Sequence, residues 1–182
     1  MLIDSLVSFV PPGSTLSMVG AAGVGLPSNV IDLLGVGQGV APPNIIGNTS
    51  TFGSDPGIDW PRAQAQISVV TALTTGTSAT MNFKYQAAAD AGSPTYLPSS
   101  WVTVVESGEI AVTDMDAAGD IVWQFDFEPV HPLNFRPRFL RVLAQPAAGT
   151  FFTAGAIVIP VTTGLDQLRN FQTPNNYTVG NP

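Results

Sequence analysis

The chain has no cysteine and a single histidine, and only 10% of its 182 residues are charged. Without cysteine there is no disulfide scaffold, no thiolate metal site and no cysteine nucleophile, so whatever holds the fold is non-covalent; the redox compartment stays open. An average soluble domain is roughly 25% charged. Here the exposed area must instead be made of Ser, Thr, Asn, Gln, Ala, Gly and some apolar residues, a surface suited to lasting contacts more than to free diffusion. Basic residues are the scarcest: six in all, one of them a lysine, against a net charge of -7. So few cations cannot neutralise many phosphates, which argues against nucleic acid and against anionic membranes as partners. The apolar N-terminus has no basic residue before Arg62 and makes a poor secretory signal, and no apolar run approaches the length of a membrane-spanning helix.

What is present is turn chemistry and strand periodicity. With 18 Gly and 16 Pro the chain is rich in turns, while β-branched and aromatic residues are plentiful enough for a packed core. Helical periodicity is almost absent, and several stretches alternate with a period of two, as a half-buried strand requires. In Thr80–Gln86, Met81, Phe83 and Tyr85 share one face and Asn82, Lys84 and Gln86 the other. In Asp120–Glu128, the apolar row is Ile121, Trp123, Phe125 and Phe127. Further strands are expected over Gln66–Leu73, Trp101–Val105, Arg138–Gln145 and Phe151–Ile159, with shorter ones near Leu16 and over Val30–Leu34. Eight or nine strands at this spacing predict an all-β protein, a sandwich or a barrel.

The turn signals Thr74-Thr75-Gly76, Asp114–Gly119 and Pro146–Gly149 read as antiparallel hairpin connections. One domain is expected: an N-terminal arm or strand over 1–15, a β-sandwich over 16–164, and a polar C-terminal arm over 165–182 ordered by a neighbouring subunit. The sandwich carries long Gly/Pro-rich loops at 42–61 and 87–98, of the length that serves binding or interfaces.

Candidate chemistry is thin. His131, between Val130 and Pro132, reads as a turn histidine, and no Gly-x-Ser-x-Gly elbow accompanies it. Gly35-Val-Gly37-Gln-Gly39 lacks both the dinucleotide spacing and the Gly-Lys-Ser/Thr ending of a phosphate loop. Asp114, Asp116 and Asp120 surround a glycine turn that could offer oxygens to Ca²⁺, but without the bidentate glutamate or the spacing of an EF-hand loop; an Asp-rich turn is the simpler reading. Arg136, Arg138 and Arg141 form a modest basic group, and Asp120, Asp126 and Glu128 on the preceding strand are their expected cross-strand partners in a hairpin; some of these arginines could instead meet acids on another subunit. The sequons at Asn48 and Asn176 matter only in a secretory pathway, which nothing here supports. The expectation is a protein without catalytic site, cofactor or metal.

Three blocks carry a resemblance: Asn29-Val-Ile-Asp-Leu33, the strand and loop from Phe83 to Leu97, and the stretch from Arg138 to Val158. In this order they resemble the capsid cement (decoration) proteins of Bordetella-phage-type podoviruses, from which the chain departs by its longer Pro42–Pro61 segment and longer C-terminal tail. The resemblance implies a jelly-roll domain on the outer surface of a virion, made in the bacterial host cytoplasm. It would be a homo-oligomer, dimer or trimer, bridging capsomers of the major capsid protein of a tailed phage. Under that reading the partner contacts are expected in arms and long loops, at Leu2, Ile3, Phe52, Trp60, Phe171 and Tyr177. The alternative is a receptor-recognition module in which Trp60, Tyr96 and Trp101 stack on sugar rings.

Overall fold

The computed structural model describes residues 8–10, 13–19, 24–33, 63–75, 79–92, 97–126, 137–147 and 152–163. The strands are β1 (Leu16–Ser17), β2 (Leu26–Pro27), β3 (Ile31–Asp32), β4 (Ala63–Thr75), β5 (Thr80–Ala88), β6 (Val102–Ala111), β7 (Ile121–Asp126), β8 (Phe139–Pro146), β9 (Phe152–Val158) and β10 (Val161–Thr163). Among the described residues there is no α-helix, only a 3₁₀ turn at Val112–Asp114. The protein is a β-sandwich of two antiparallel sheets, as the periodicity predicts.

The alternation does what the period of two requires. Met81, Phe83 and Tyr85 of β5 are buried, with Ile67 and Val69 of β4, Leu140, Val142 and Ala144 of β8, and Ile157 of β9. Each large apolar side chain so buried contributes on the order of 1.5–3 kcal/mol. An aromatic row ties the layers: Tyr85 of the second sheet lies 5.0 Å from Phe125 of the first, Trp123 stacks on Phe125 at 4.5 Å, and Phe9 meets Tyr85 edge-on at 5.9 Å.

In the first sheet, β7 and β10 both pair with Gln64 and Ala65 of β4 and so lie on opposite sides of it. Ser68 pairs with both β7 and β9, so β9 shares the side of β10. β9 and β10 are therefore one strand interrupted at Ile159 and Pro160, and the sheet runs β1, β9/β10, β4, β7. In the second sheet β2 and β3 both pair with β8 and likewise form one interrupted strand, giving β2/β3, β8, β5, β6. Serine hydroxyls fill lapses in both ladders: Ser28 Oγ accepts the Val142 N–H at 2.9 Å between β2 and β3, and Ser107 Oγ accepts the Phe83 N–H at 3.0 Å. The Ser107 site is a bulge in β6, where Gly108 takes φ 74°. β4 shifts register against β9 at three points, between Val69 and Thr71, between Thr71 and Thr74 and between Thr74 and Thr75, and within this irregular stretch Leu73 keeps to the inner face. There Gly155 has φ 141°, and a Cβ on it would stand 2.8 Å from Leu73 Cγ, so no side chain fits.

Among the described residues, counted as eight strands, every connection but one crosses between the sheets; only β5 to β6 stays in its own. This corrects the hairpin expectation. The turn signals read in the sequence do fall between strands, but β4 and β5, β6 and β7, and β8 and β9 lie in different sheets. Gly and Pro mark where a chain reverses; the same chemistry serves a hairpin and a sheet-to-sheet corner. A second correction concerns Ile121. An extra residue in β7 sets Ile121 opposite Ser68 while Trp123 opposes Ile67, so Ile121 leaves the apolar row and is 54% exposed.

Candidate functional site

The densest polar constellation among the described residues is built on Arg138. Asp32 closes β3, Asp90 follows β5 and Arg138 precedes β8, so pairing of β3 and β5 to β8 brings the three together at one end of the second sheet. Main-chain bonds fix the frame: Leu33 N–H donates to Arg138 O, and Arg138 N–H to Ala88 O, each at 2.9 Å. Arg138 Nε and Nη2 then donate to the two oxygens of Asp32, at 3.0 and 2.9 Å, and Nη1 donates to Asp90 Oδ2. The guanidinium also lies over the Phe139 ring at 4.7 Å.

Arg138 and Asp32 are each only 4% exposed, and a buried ion is tolerated only when its partners replace water. The hydrogen bond to Asp32 holds Arg138 above its ordinary value, the pair with Asp90 adding to this against the opposing effect of burial. The Gly92 N–H, at 2.8 Å, is the main cause that holds the Asp90 carboxyl below the ordinary range, and Arg138 adds to it. Charges locked to one another in this way tie three chain segments together; they do not offer a base or an acid to a substrate.

This site corrects the cross-strand expectation. β7 and β8 belong to different sheets, and Arg138 pairs with Asp32 and Asp90, two carboxylates outside β7. Arg141 lies over the Trp101 ring at 4.1 Å and donates from Nε to Gln86 Oε1 at 2.9 Å. One face of Trp101 is thus occupied by a guanidinium, which leaves it less able to stack on a sugar. Asp120 Oδ2 accepts the Ala117 N–H at 3.0 Å, and Met115 is fully buried beneath the turn. No group of three or more Asp, Glu, His or Cys converges as metal ligands among the described residues, and that holds for Asp114, Asp116 and Asp120.

Leu2, Ile3, Phe52, Trp60, Phe171 and Tyr177 lie outside the described residues, as do Tyr96, Glu128, His131, Arg136 and the Gly35–Gly39 stretch. Sequence reasoning missed Asp32 and Asp90. The signal for Asp32 was available: a lone carboxylate in the apolar run Val30-Ile-Asp-Leu-Leu34 must find a buried partner. No protein-family model matches the chain, and a search of the curated proteins finds none that matches it.

Proposed function

We propose that this chain is a non-enzymatic capsid cement protein that sits as a homo-oligomer on the outside of a tailed-phage head and stabilises the contacts between capsomers of the major capsid protein. The observation that carries this reading is where the three resembling blocks meet. Asp32 comes from the first, Asp90 from the second and Arg138 from the third, and they close one ion cluster although 106 and 48 residues separate the pairs. That the three blocks meet at one point of this fold supports reading them as a unit.

The strand order supports it further. Among the described strands, two four-stranded layers whose connections cross between sheets except from β5 to β6 support the jelly-roll architecture that the resemblance implies. The mechanism is mass action: a protein that binds across a joint only when the shell is assembled shifts the balance toward the assembled state. Many symmetric copies of a modest contact make the shell collectively strong.

The test is co-sedimentation with expanded heads prepared from a phage carrying this gene after its deletion. Saturable binding to the heads, with electron microscopy placing density on their outer surface, is expected. Heads that bind none of the folded protein would end this reading.

A further inference from the structure

On the outer face of the second sheet, Arg141 is held in one orientation from two sides. It stands on β8 directly opposite Gln86 of β5. Its guanidinium lies over the Trp101 ring at 4.1 Å, and its Nε donates to Gln86 Oε1 at 2.9 Å. Gln86 is only 8% exposed and is fixed in turn, its Nε2 donating to Thr103 Oγ1 at 3.2 Å. A long, flexible side chain is thus oriented before any partner arrives, which removes part of the ordering entropy that a contact otherwise costs.

The part of Arg141 left for a ligand is narrow. With Nε taken by Gln86 and one face of the guanidinium by Trp101, a side-on approach through Nε is closed, and the edge formed by Nη1 and Nη2 is what remains. Among the described residues no carboxylate and no other acceptor meets that edge. Burial pushes Arg141 below its ordinary value, the mark of a cation that has given up water without gaining a counter-ion. Two parallel N–H groups at a fixed spacing match the two oxygens of a carboxylate.

The neighbouring charges limit what the site accepts. Lys84 lies diagonal to Arg141 across the pairing of β5 with β8, roughly 7–8 Å away, and adds to the attraction for an anion. Glu106 and Glu109 stand one strand further on, opposite Lys84 and Asn82, and accept from the neutral Asn82 and Thr80. They oppose any second negative group laid across the face. A single carboxylate therefore fits where an acidic run or a phosphate chain does not, and that chemistry is an isolated Asp or Glu on a protein surface.

We propose that Arg141 is a shell-binding residue of this chain, its Nη1–Nη2 edge receiving end-on one Asp or Glu carboxylate on the outer surface of the assembled major capsid protein. The proposal rests on the cement-protein reading above and adds to it the site and the chemistry of the contact.

The experiment is a co-sedimentation titration, at low and at high salt, of heads lacking this protein with the wild type, R141M, R141K and E106Q/E109Q. R141M keeps an apolar stem over Trp101, so its circular dichroism is expected to stay that of the wild type. Its binding is expected to weaken by about tenfold or more, the loss of one charge-assisted contact, and to depend less on salt. R141K, which keeps the charge and loses the fork, is expected to fall between the two. E106Q/E109Q is expected to bind at least as tightly as the wild type, because removing those carboxylates favours an incoming one. A wild type that does not bind heads ends the cement-protein reading and this proposal together. If the wild type binds and R141M binds as tightly, the proposal alone falls, and a loss of self-association in that variant would then assign the carboxylate to a second copy. An R141K that matches the wild type overturns the fork, and weaker binding by E106Q/E109Q overturns the proposal by showing that the face meets a cation.

Discussion

Arg138 and Arg141 stand three residues apart, and the fold treats them in opposite ways. Arg138 lies at the end of the second sheet, buried between Asp32 and Asp90, and joins strands distant in sequence. Arg141 lies on the outer face, stacked on Trp101, and among the described residues its acceptor is the amide oxygen of Gln86. In a chain with so few charges the difference separates two uses of a cation. One, fully compensated inside the molecule, serves stability and the geometry of the loop bases. The other, in no ion pair among the described residues, is held on the outer face by an aromatic ring and an amide.

The strongest way to break this comparison is R138M. It strands Asp32 in a buried site without its cation, and urea unfolding should show a loss of about 3–5 kcal/mol. A loss below about 1 kcal/mol would mean that the cluster is a surface pair and that the two arginines do not differ. Next in size is the coupling between partners. D32N and R138M combined should cost less than the sum of the two, by about 0.5–3 kcal/mol in a double-mutant cycle; strict additivity would deny the bidentate contact.

Acid sharpens the comparison further. Asp90 titrates below its ordinary value of 3.8 in the folded protein, so its contribution is complete above that value and is lost as pH falls through the lower, folded one. Arg138 is shifted upward, so its contribution persists to strongly alkaline pH. Stability should thus be level near neutrality and drop in acid, and D90N should be less stable at neutral pH with a shallower acid limb, measured as the urea midpoint against pH. An acid limb unchanged in D90N would place the titration elsewhere. The smallest effect belongs to R141M, for which a change within about 1 kcal/mol is expected; a loss rivalling that of R138M would make Arg141 a structural residue and remove the contrast.

Much of the fold was legible because strand periodicity is written locally. The row Met81, Phe83 and Tyr85 predicted both the strand and its buried face, and all three are buried. Trp123 and Phe125 followed the same rule, but Ile121 did not, because a one-residue bulge reverses every side chain beyond it and depends on how β4 pairs alongside. The Arg138 cluster was half legible. Asp32 announced a buried charge by standing among apolar residues, whereas Asp90, in a loop of Ala and Gly, carried no such mark.

By itself the sequence determined the class of the protein: alternation set the strands, Gly and Pro set the reversals, and scarcity of charge set a neutral surface, all properties of neighbouring residues. Only the tertiary structure decided which sheet each strand joined and which carboxylates Arg138 found. Sheet partners are chosen by fitting two apolar faces together across the whole core, and residues 32, 90 and 138 become neighbours only once that fit is made.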